Sequence, residues 1–233
     1  MRHKPPRGQG LLELVFAIGI IVAAVVTTLG LVIATTAASN ASKTQVIATN
    51  LAREGIEIAR GVRDTNWLKI DSGVVGTAWN DGLFLLESGL YDFTATALFS
   101  PPGPTGDGEW TLPFAADTIT APLAVVYRHP VTGLYSQISD PAQLDCPTNG
   151  LYCGYEATQF RRLITTNPIC WPMGVIPGSP NPDELITDDG ANQPCIQPGY
   201  DQAGIQITSR VEWTERGRSR STTLIEKMFN WKP

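Results

Sequence analysis

The stretch LLELVFAIGIIVAAVVTTLGLVIA, residues 11–34, dominates the first part of the chain and governs the interpretation of the rest. Its one charged residue is Glu13, and no further charge follows until Lys43. At ~1.5 Å per residue, a helix of this length crosses the ~30 Å hydrocarbon core of a bilayer. We therefore predict a transmembrane helix. Because basic residues precede it, the positive-inside rule predicts a cytoplasmic N-terminus. These cations are Arg2, Lys4 and Arg7.

The bulk composition predicts one folded unit with appendages and names no partner. Of 233 residues, 42% are hydrophobic and only 17% are charged, because the apolar segment raises the first share and lowers the second. The formal net charge is −5. Dedicated nucleic-acid-binding domains carry a strong basic excess instead, so we do not expect nucleic acid as a partner.

The carboxylate of Glu13 needs a cation. An Asp or Glu at the bilayer centre costs ~2.5–3.5 kcal/mol on insertion scales, and less near the interface. The next charge downstream, Lys43, lies roughly 45 Å away along a helix. The partner must therefore come from another molecule or from a newly made N-terminus. A carboxylate paired with an ammonium group at a fixed stagger would also specify the register between chains.

A short basic leader ending in glycine, a glutamate five positions later and an unbroken apolar helix resemble the N-terminus of type IV prepilins and type II secretion pseudopilins. Cleavage after Gly8, rather than Gly10, places Glu13 fifth in the product. The resemblance implies that a prepilin peptidase removes residues 1–8 and methylates the new amine of Gln9. It also implies that Glu13 pairs with the Gln9 amine of a neighbouring subunit. Such families favour Phe or Met first and Thr or Ser second, where this chain has Gln9 and Gly10.

The helical pattern continues beyond the membrane segment. We predict one helix that is transmembrane over residues 9–38 and amphipathic over residues 39–66. Its apolar stripe would pack on an extracytoplasmic domain, residues 67–233, and Gly55 would permit close backbone approach. The stripe consists of Ile47, Leu51, Gly55, Ile58 and Val62.

After residue 71 the pattern becomes strand-like. Short segments rich in β-branched and aromatic residues are separated by turn formers and predict strands; they are GVVGTAW, LYDFTATALF, LAVVYR and GLYSQI. Apolar and polar residues alternate from Ile205 to Trp213, and RGR at 216–218 then predicts a β-hairpin with the segment STTLIEKMFNW. The expected fold class is α+β, with the long helix packed on an antiparallel sheet, as the resemblance to pilins also implies.

Residues 139–200 contain nine of the 18 prolines and all four cysteines. This composition predicts a long irregular insertion stapled by disulfides in an oxidising compartment. Of three possible pairings, proximity in sequence favours Cys146 with Cys153 and Cys170 with Cys195. A zinc knuckle would need a different spacing from CPTNGLYC, so we predict no metal there.

Other candidate sites are weaker. His129 precedes a proline in a predicted turn, which favours a surface residue over a general base. No GxSxG, HExxH or phosphate-binding glycine loop is present, so we expect neither catalysis nor a cofactor. The acidic loop 181–192 lacks EF-hand spacing; calcium binding stays open there, and a solvated loop is favoured. Its candidate oxygen ligands are Asp183, Asp188, Asp189 and Asn192.

A group of basic residues near the C-terminus raises the question of DNA binding. Phosphate contacts need clustered cations. Glutamates interleave with these arginines, so a mixed-charge sheet face is the favoured interpretation. The residues are Arg210, Arg216, Arg218 and Arg220, with Glu212, Glu215 and Glu226.

The predicted function is that of a structural subunit, a minor pilin, of a type IV pilus-like filament. It would be a single-pass inner-membrane protein before assembly and would lie on the cell surface afterwards. Its expected partners are the prepilin peptidase, other pilin subunits, the assembly platform and the inner membrane. The alternatives are a type II secretion pseudopilin, a tip adhesin with a surface ligand, and a plain signal anchor or secreted domain cut near Ala38. A membrane-anchored enzyme is a further alternative, which the missing catalytic motifs disfavour.

Overall fold

A computed structural model describes residues 9–83, 85–87, 90–92, 94–99, 110–114, 118–138, 144, 154–172, 185–187, 195 and 198–230. The chain divides into two compact units, Met1–Val46 and Ile47–Pro233. Helix α1, Gln9–Asp71, contributes residues to both. It ends at Asp71 rather than at residue 66 as predicted, because residues 62–72 contain no glycine or proline and the next glycine, Gly73, has φ +83°.

In the first unit, the large apolar residues of α1 are exposed. The helix is long and apolar enough to cross a membrane, and none of the most apolar part is buried. In water such a surface would be unfavourable at ~25 cal/mol per Å² of exposed apolar area, so it is suited to a lipid or protein environment. Its exposed side chains include Leu11, Leu14, Phe16, Ile20, Val26, Leu29 and Ile33.

The second unit combines the rest of α1 with an antiparallel sheet. The strands, numbered along the chain, are β1 Leu85–Glu87, β2 Leu90–Asp92, β3 Thr94–Ala95, β4 Leu98–Phe99, β5 Trp110–Thr111, β6 Val125–Arg128, β7 Tyr135–Gln137, β8 Glu156–Pro172, β9 Ile186–Thr187, β10 Tyr200–Glu215 and β11 Arg218–Phe229. A short 3₁₀ helix, Pro122–Ala124, precedes β6.

Among the described residues, β1 and β2 pair with each other, and the other strands form one sheet. Its order is β11-β10-β8-β6-β7-β4-β5, and β3 and β9 also pair with β8. Every described strand pair is antiparallel except β4 with β7. The α+β fold predicted from the sequence, with its helix on an antiparallel sheet, is therefore confirmed.

The hairpin predicted near the C-terminus is also confirmed. β10 pairs with β11 from Gly204↔Phe229 to Glu215↔Arg218, and the turn between them is Arg216–Gly217. The apolar positions of the predicted alternation in β10 are buried: Ile205, Ile207, Val211 and Trp213. At the other end of the hairpin, Gly204 follows a register shift in the β8–β10 pairing. A Cβ there would lie 2.5 Å from the carbonyl oxygen of Met228, so the strands approach too closely for a side chain.

Three sequence predictions about the sheet are wrong. The region 139–200 is not uniformly irregular, because β8 occupies 17 of its residues and lies between β10 and β6. The prolines of this region predicted irregular structure, but Pro168 lies within β8, where it pairs with Ile205 of β10. Segment 73–79 forms turns rather than a strand, and Gly73 and Gly76 have positive φ. LYDFTATALF is divided among β2, β3 and β4 instead of forming one strand.

The core lies between α1 and one face of β8, β10 and β11. One cluster joins Ala48, Leu51 and Ala52 to Val126, Phe160, Val211 and Trp213. The other joins Ile56, Ile58 and Ala59 to residues that include Ile164, Ile205, Ile207 and Met228. The predicted amphipathic stripe thus faces the sheet.

Candidate assembly helix and its packing surface

Glu13 lies in the exposed apolar part of α1. Its side chain is exposed, and within the described part of the chain it forms no ion pair or hydrogen bond. Gln9 is the first helical residue described, and Gly8 lies outside the described residues. The geometry therefore presents a carboxylate on an apolar helix surface, where a cation from another chain could reach it.

The second half of α1 comes close to the sheet at Gly55. A Cβ at this position would lie 2.5 Å from Oγ of Ser209 and 3.1 Å from Cδ1 of Ile164. These distances are shorter than van der Waals contacts, so a larger residue would force these side chains or the helix to move. The predicted close approach at Gly55 is confirmed.

A buried arginine of β8 connects the helix to β7 and to Ala97, which lies between β3 and β4. The side chain of Arg162, in β8, has 0% exposure. Its Nη1 donates to the carbonyl oxygen of Leu51 and to Oε2 of Glu54, both at 3.2 Å. Its Nε donates to Oε1 of Gln137 at 3.1 Å, and Nη2 donates to the carbonyl oxygen of Ala97 at 3.5 Å. We call this group, with Gln137, the arginine cluster.

Gln137 completes the arginine cluster from β7. Its Oε1 also accepts from the backbone N–H of Ala97 at 2.8 Å, and its Nε2 donates to the carbonyl oxygens of Arg162 and Leu123 at 2.8 and 3.1 Å. The amide group thus satisfies both of its ends in a buried site. Such fully paired polar groups fix one arrangement of the surrounding elements.

Two electrostatic effects act on the guanidinium group of Arg162 in opposite directions. Burial lowers the pKa of Arg162, and the neighbouring carboxylate of Glu54 acts to raise it. Glu54 is 32% exposed and still reaches water. A buried charge is tolerated only where hydrogen bonds replace its hydration. Here two carbonyl oxygens and an amide oxygen accept most of the hydrogen bonds from Arg162. The cluster is therefore a structural anchor between helix and sheet.

A groove of about 820 Å³ runs beside the second half of α1. On the helix side it is lined by Glu57, Gly61 and Lys69, and on the other side by Asp81 and Trp110.

Arg60, on the same helix, forms ion pairs with Glu57 at 2.6 Å and with Glu226 of β11 at 2.5 Å. The hydrogen bond to Glu226, first among several causes, raises the pKa of Arg60.

The structure brings together one of the two predicted cysteine pairs. Cys170, in β8, and Cys195 form a disulfide with a Cα–Cα distance of 5.5 Å, so that prediction is confirmed. Cys146 and Cys153 lie outside the described residues.

The candidate calcium ligands also lie outside the described residues; they are Asp183, Asp188, Asp189 and Asn192. Within the described residues, no cluster of three or more His, Cys, Asp or Glu side chains is arranged to hold a metal.

The remaining candidates lie on the surface of the second unit. His129 follows β6, and its Nδ1 accepts from the backbone N–H of Thr132 at 3.1 Å, which closes the turn before β7. The mixed-charge interpretation of the basic residues agrees with two ion pairs, Arg210 with Glu212 and Arg220 with Glu215.

Sequence reasoning missed the arginine cluster. An arginine and a glutamine, each in a polar stretch, give no signal of full burial. The one available signal was the alternation of Phe160, Arg162, Ile164 and Thr166, which places Arg162 on the apolar face of a strand.

No protein-family model matches the chain, and comparisons with curated proteins and with solved structures find none that is similar to it.

Proposed function

We propose that this protein is a subunit, of the minor type, of a type IV pilus-like filament. In this proposal a prepilin peptidase cuts after Gly8 and methylates the amine of Gln9. The subunit then leaves the inner membrane and packs its apolar helix among those of other subunits. Its role is assembly rather than catalysis.

The observation that carries the proposal is the composition of α1. One helix combines an exposed apolar surface that bears a lone carboxylate with a second half that is built into a folded sheet. A simple membrane anchor needs only ~20 apolar residues and no carboxylate among them. A filament subunit needs both parts, because the first packs against other helices and the second carries a surface domain.

The proposed assembly contact is an ion pair between Glu13 of one subunit and the Gln9 amine of another. Burial of Glu13 in a helical bundle would be strongly unfavourable without a cation. The amine exists only after cleavage, so processing and assembly are coupled. Helices without that amine would be held back in the membrane.

The test is the mass of the N-terminus when the chain is expressed with and without a prepilin peptidase. We expect a peptidase-dependent terminus at Gln9 that carries one added methyl group. An active-site variant of the peptidase is the matched control and should leave the leader intact. An intact leader with the active enzyme, or a cut near Ala38, would contradict the proposal.

A tip adhesin is the second candidate, and the groove beside α1 favours it. The groove has carboxylates and an aromatic ring, Trp110, within one concave surface, which is typical of ligand sites. An adhesin would occur at filament tips only, whereas a structural subunit would recur along the filament. Quantifying this chain relative to the major subunit in sheared filaments distinguishes the two.

A further inference from the structure

One end of the sheet carries a set of mostly exposed residues, which we call the basic rim. It consists of Arg128, the turn 129–134 between β6 and β7, and residues 216–220 around the β10–β11 turn. The arginines of the rim are all exposed: Arg128, Arg216, Arg218 and Arg220. Within the described part of this end, two carboxylates accompany them: Glu156, opposite Arg128, and Glu215, whose Oε2 lies 3.8 Å from Nε of Arg220. Among the residues that the structure describes at this end, arginine therefore exceeds glutamate.

The two turns of the basic rim leave the sheet together because both flank the beginning of β8. Arg128 pairs with Glu156 on one side of β8, and Trp213 pairs with Phe160 on its other side. The ring of His129 also contacts that of Tyr155, with centroids 5.1 Å apart.

Each turn of the rim exposes a residue that turns do not usually favour. Val131, at the apex of the first turn, is 87% exposed. Arg216, in the second turn, has φ +49° and is the one non-glycine residue with positive φ that the structure describes. A two-residue hairpin turn of this kind prefers Asn or Gly at that position. An exposed aliphatic apex and a strained arginine are better explained by a binding surface than by stability.

The basic rim lies at the end of the second unit where the chain enters it. The first residues of that unit to be buried, Ala48 and Leu51, share a cluster with Phe160 and Trp213. Ile58 and Ala59 belong to the other cluster, toward Ile205 and Met228. The rim is thus at the end of the sheet that contacts the first residues of α1 after the apolar segment.

We propose that the basic rim binds the anionic phospholipid headgroups of the membrane that α1 spans. Its arginines would lie at the phosphate level, and Val131 would insert among the upper acyl segments. Each arginine near an anionic surface strengthens such contact about fivefold, and amphipathic surfaces at the interface combine cations with apolar residues in this way. The proposal rests on the membrane-anchored stage of the proposed function and not on cleavage or assembly.

The experiment places an environment-sensitive fluorophore on the full-length chain in lipid nanodiscs. The label is attached to Cys in Val131→Cys, and the matched control is Val75→Cys, because Val75 is a 98% exposed valine in the turns that follow α1. The unsubstituted chain gives the background labelling. We expect blue-shifted emission and quenching by headgroup-proximal spin-labelled lipid for Val131→Cys, in phosphatidylglycerol-containing but not in pure phosphatidylcholine discs. Val75→Cys should respond in neither.

Removal of charge from the rim provides the second arm. Arg216→Asn with Arg218→Gln should weaken the lipid-dependent quenching at residue 131 by more than about tenfold in apparent lipid affinity. Asn is the residue that the turn itself prefers, so loss of folding does not explain such a result. High salt should weaken the same signal, because the contact is between exposed charges.

Three results would overturn the proposal. The first is equal solvent exposure of labels at residues 131 and 75 in anionic discs. The second is a response at residue 131 that needs a short DNA duplex rather than anionic lipid. The third is a response that rises with protein density and is indifferent to lipid charge, which would indicate contact between copies of this chain. A failure of prepilin cleavage would leave the lipid result unchanged, so the two proposals fail separately.

Discussion

At the residue scale, Gly55 lies where helix and sheet leave little room for a side chain. We predict that Gly55→Ala lowers the free energy of unfolding by about 1–2 kcal/mol, because overpacking costs outweigh the helix propensity of alanine. The new methyl group would compete with Ser209 and Ile164 for space. Urea unfolding of the full-length chain in detergent measures the change as a lower midpoint with an unchanged slope.

Gly61→Ala is the matched control for this substitution. Gly61 lies on the same helix, but nothing approaches its hypothetical Cβ within 4 Å. The substitution should therefore raise the free energy of unfolding by about 0.5–1 kcal/mol through helix propensity and reduced freedom of the unfolded chain. Equal stabilisation by both alanines would show that the sheet can move away from residue 55.

The arginine cluster gives a prediction that separates hydrogen bonding from charge pairing. Arg162→Lys should lower the free energy of unfolding by about 2–3 kcal/mol, since one ammonium group cannot reach Gln137, Leu51 and Ala97 together and the charge stays buried. Glu54→Gln should change it by less than about 1 kcal/mol, because Glu54 keeps contact with water.

A double-mutant cycle between Arg162 and Glu54 completes this test. We expect a coupling energy below about 1 kcal/mol, which would assign the anchor to the carbonyl and amide acceptors. A coupling energy of several kcal/mol would contradict that assignment and make the ion pair the main contact between α1 and β8.

At the element scale, the disulfide holds the far end of β8. Cys170 is fully buried, and its partner Cys195 is 25 residues away. Closing a loop of that length stabilises by about 3.5 kcal/mol in the chain-entropy description. Replacing both residues by Ala should lower the unfolding free energy by roughly this amount, measured by denaturant titration. An unchanged value would mean that the pairing of β8 with β9 already restrains the loop.

The elements differ in how well the sequence predicts them, for a physical reason. The β10–β11 hairpin was predictable, because the alternation in β10 and the glycine of the Arg216–Gly217 turn are both local signals. β8 was not, because its strand character depends on partners on both sides. Pro168 is tolerated where it pairs with Ile205, and Arg162 is satisfied by acceptors from α1 and β7. Those partners are distant in sequence and cannot be deduced from a local pattern.

At the scale of the whole molecule, α1 and the antiparallel sheet follow from periodicity, whereas the strand order does not. Sheet order depends on long-range pairing, such as that of Leu98 with Gln137 in the parallel pair of β4 and β7. The carboxylate of Glu13 was recognisable as a candidate site because a charge within an apolar run is conspicuous. The basic rim was harder to recognise from the sequence, because its two turns are separated by about 80 residues.

The division of the chain into two units leads to the last prediction, which concerns Glu13. Glu13→Gln keeps the size of the side chain and removes its charge, so incorporation into filaments should fall at least about tenfold if pairing with the Gln9 amine guides assembly. Residue 13 belongs to the first unit and is far from the second unit in sequence. The unfolding free energy of the sheet should therefore stay within about 0.5 kcal/mol of the unsubstituted value.

Leu12→Gln is the matched control, because it places the same amide group one position earlier while Glu13 is retained. It should reduce membrane insertion slightly but leave incorporation nearly intact. The two variants are compared by their amounts in sheared filaments relative to their amounts in the membrane, after the N-terminus of each has been confirmed by mass spectrometry. If Glu13→Gln enters filaments as well as Leu12→Gln does, then the charge of Glu13 is not an assembly contact. The exposed apolar surface of α1 alone would then have to direct packing between subunits.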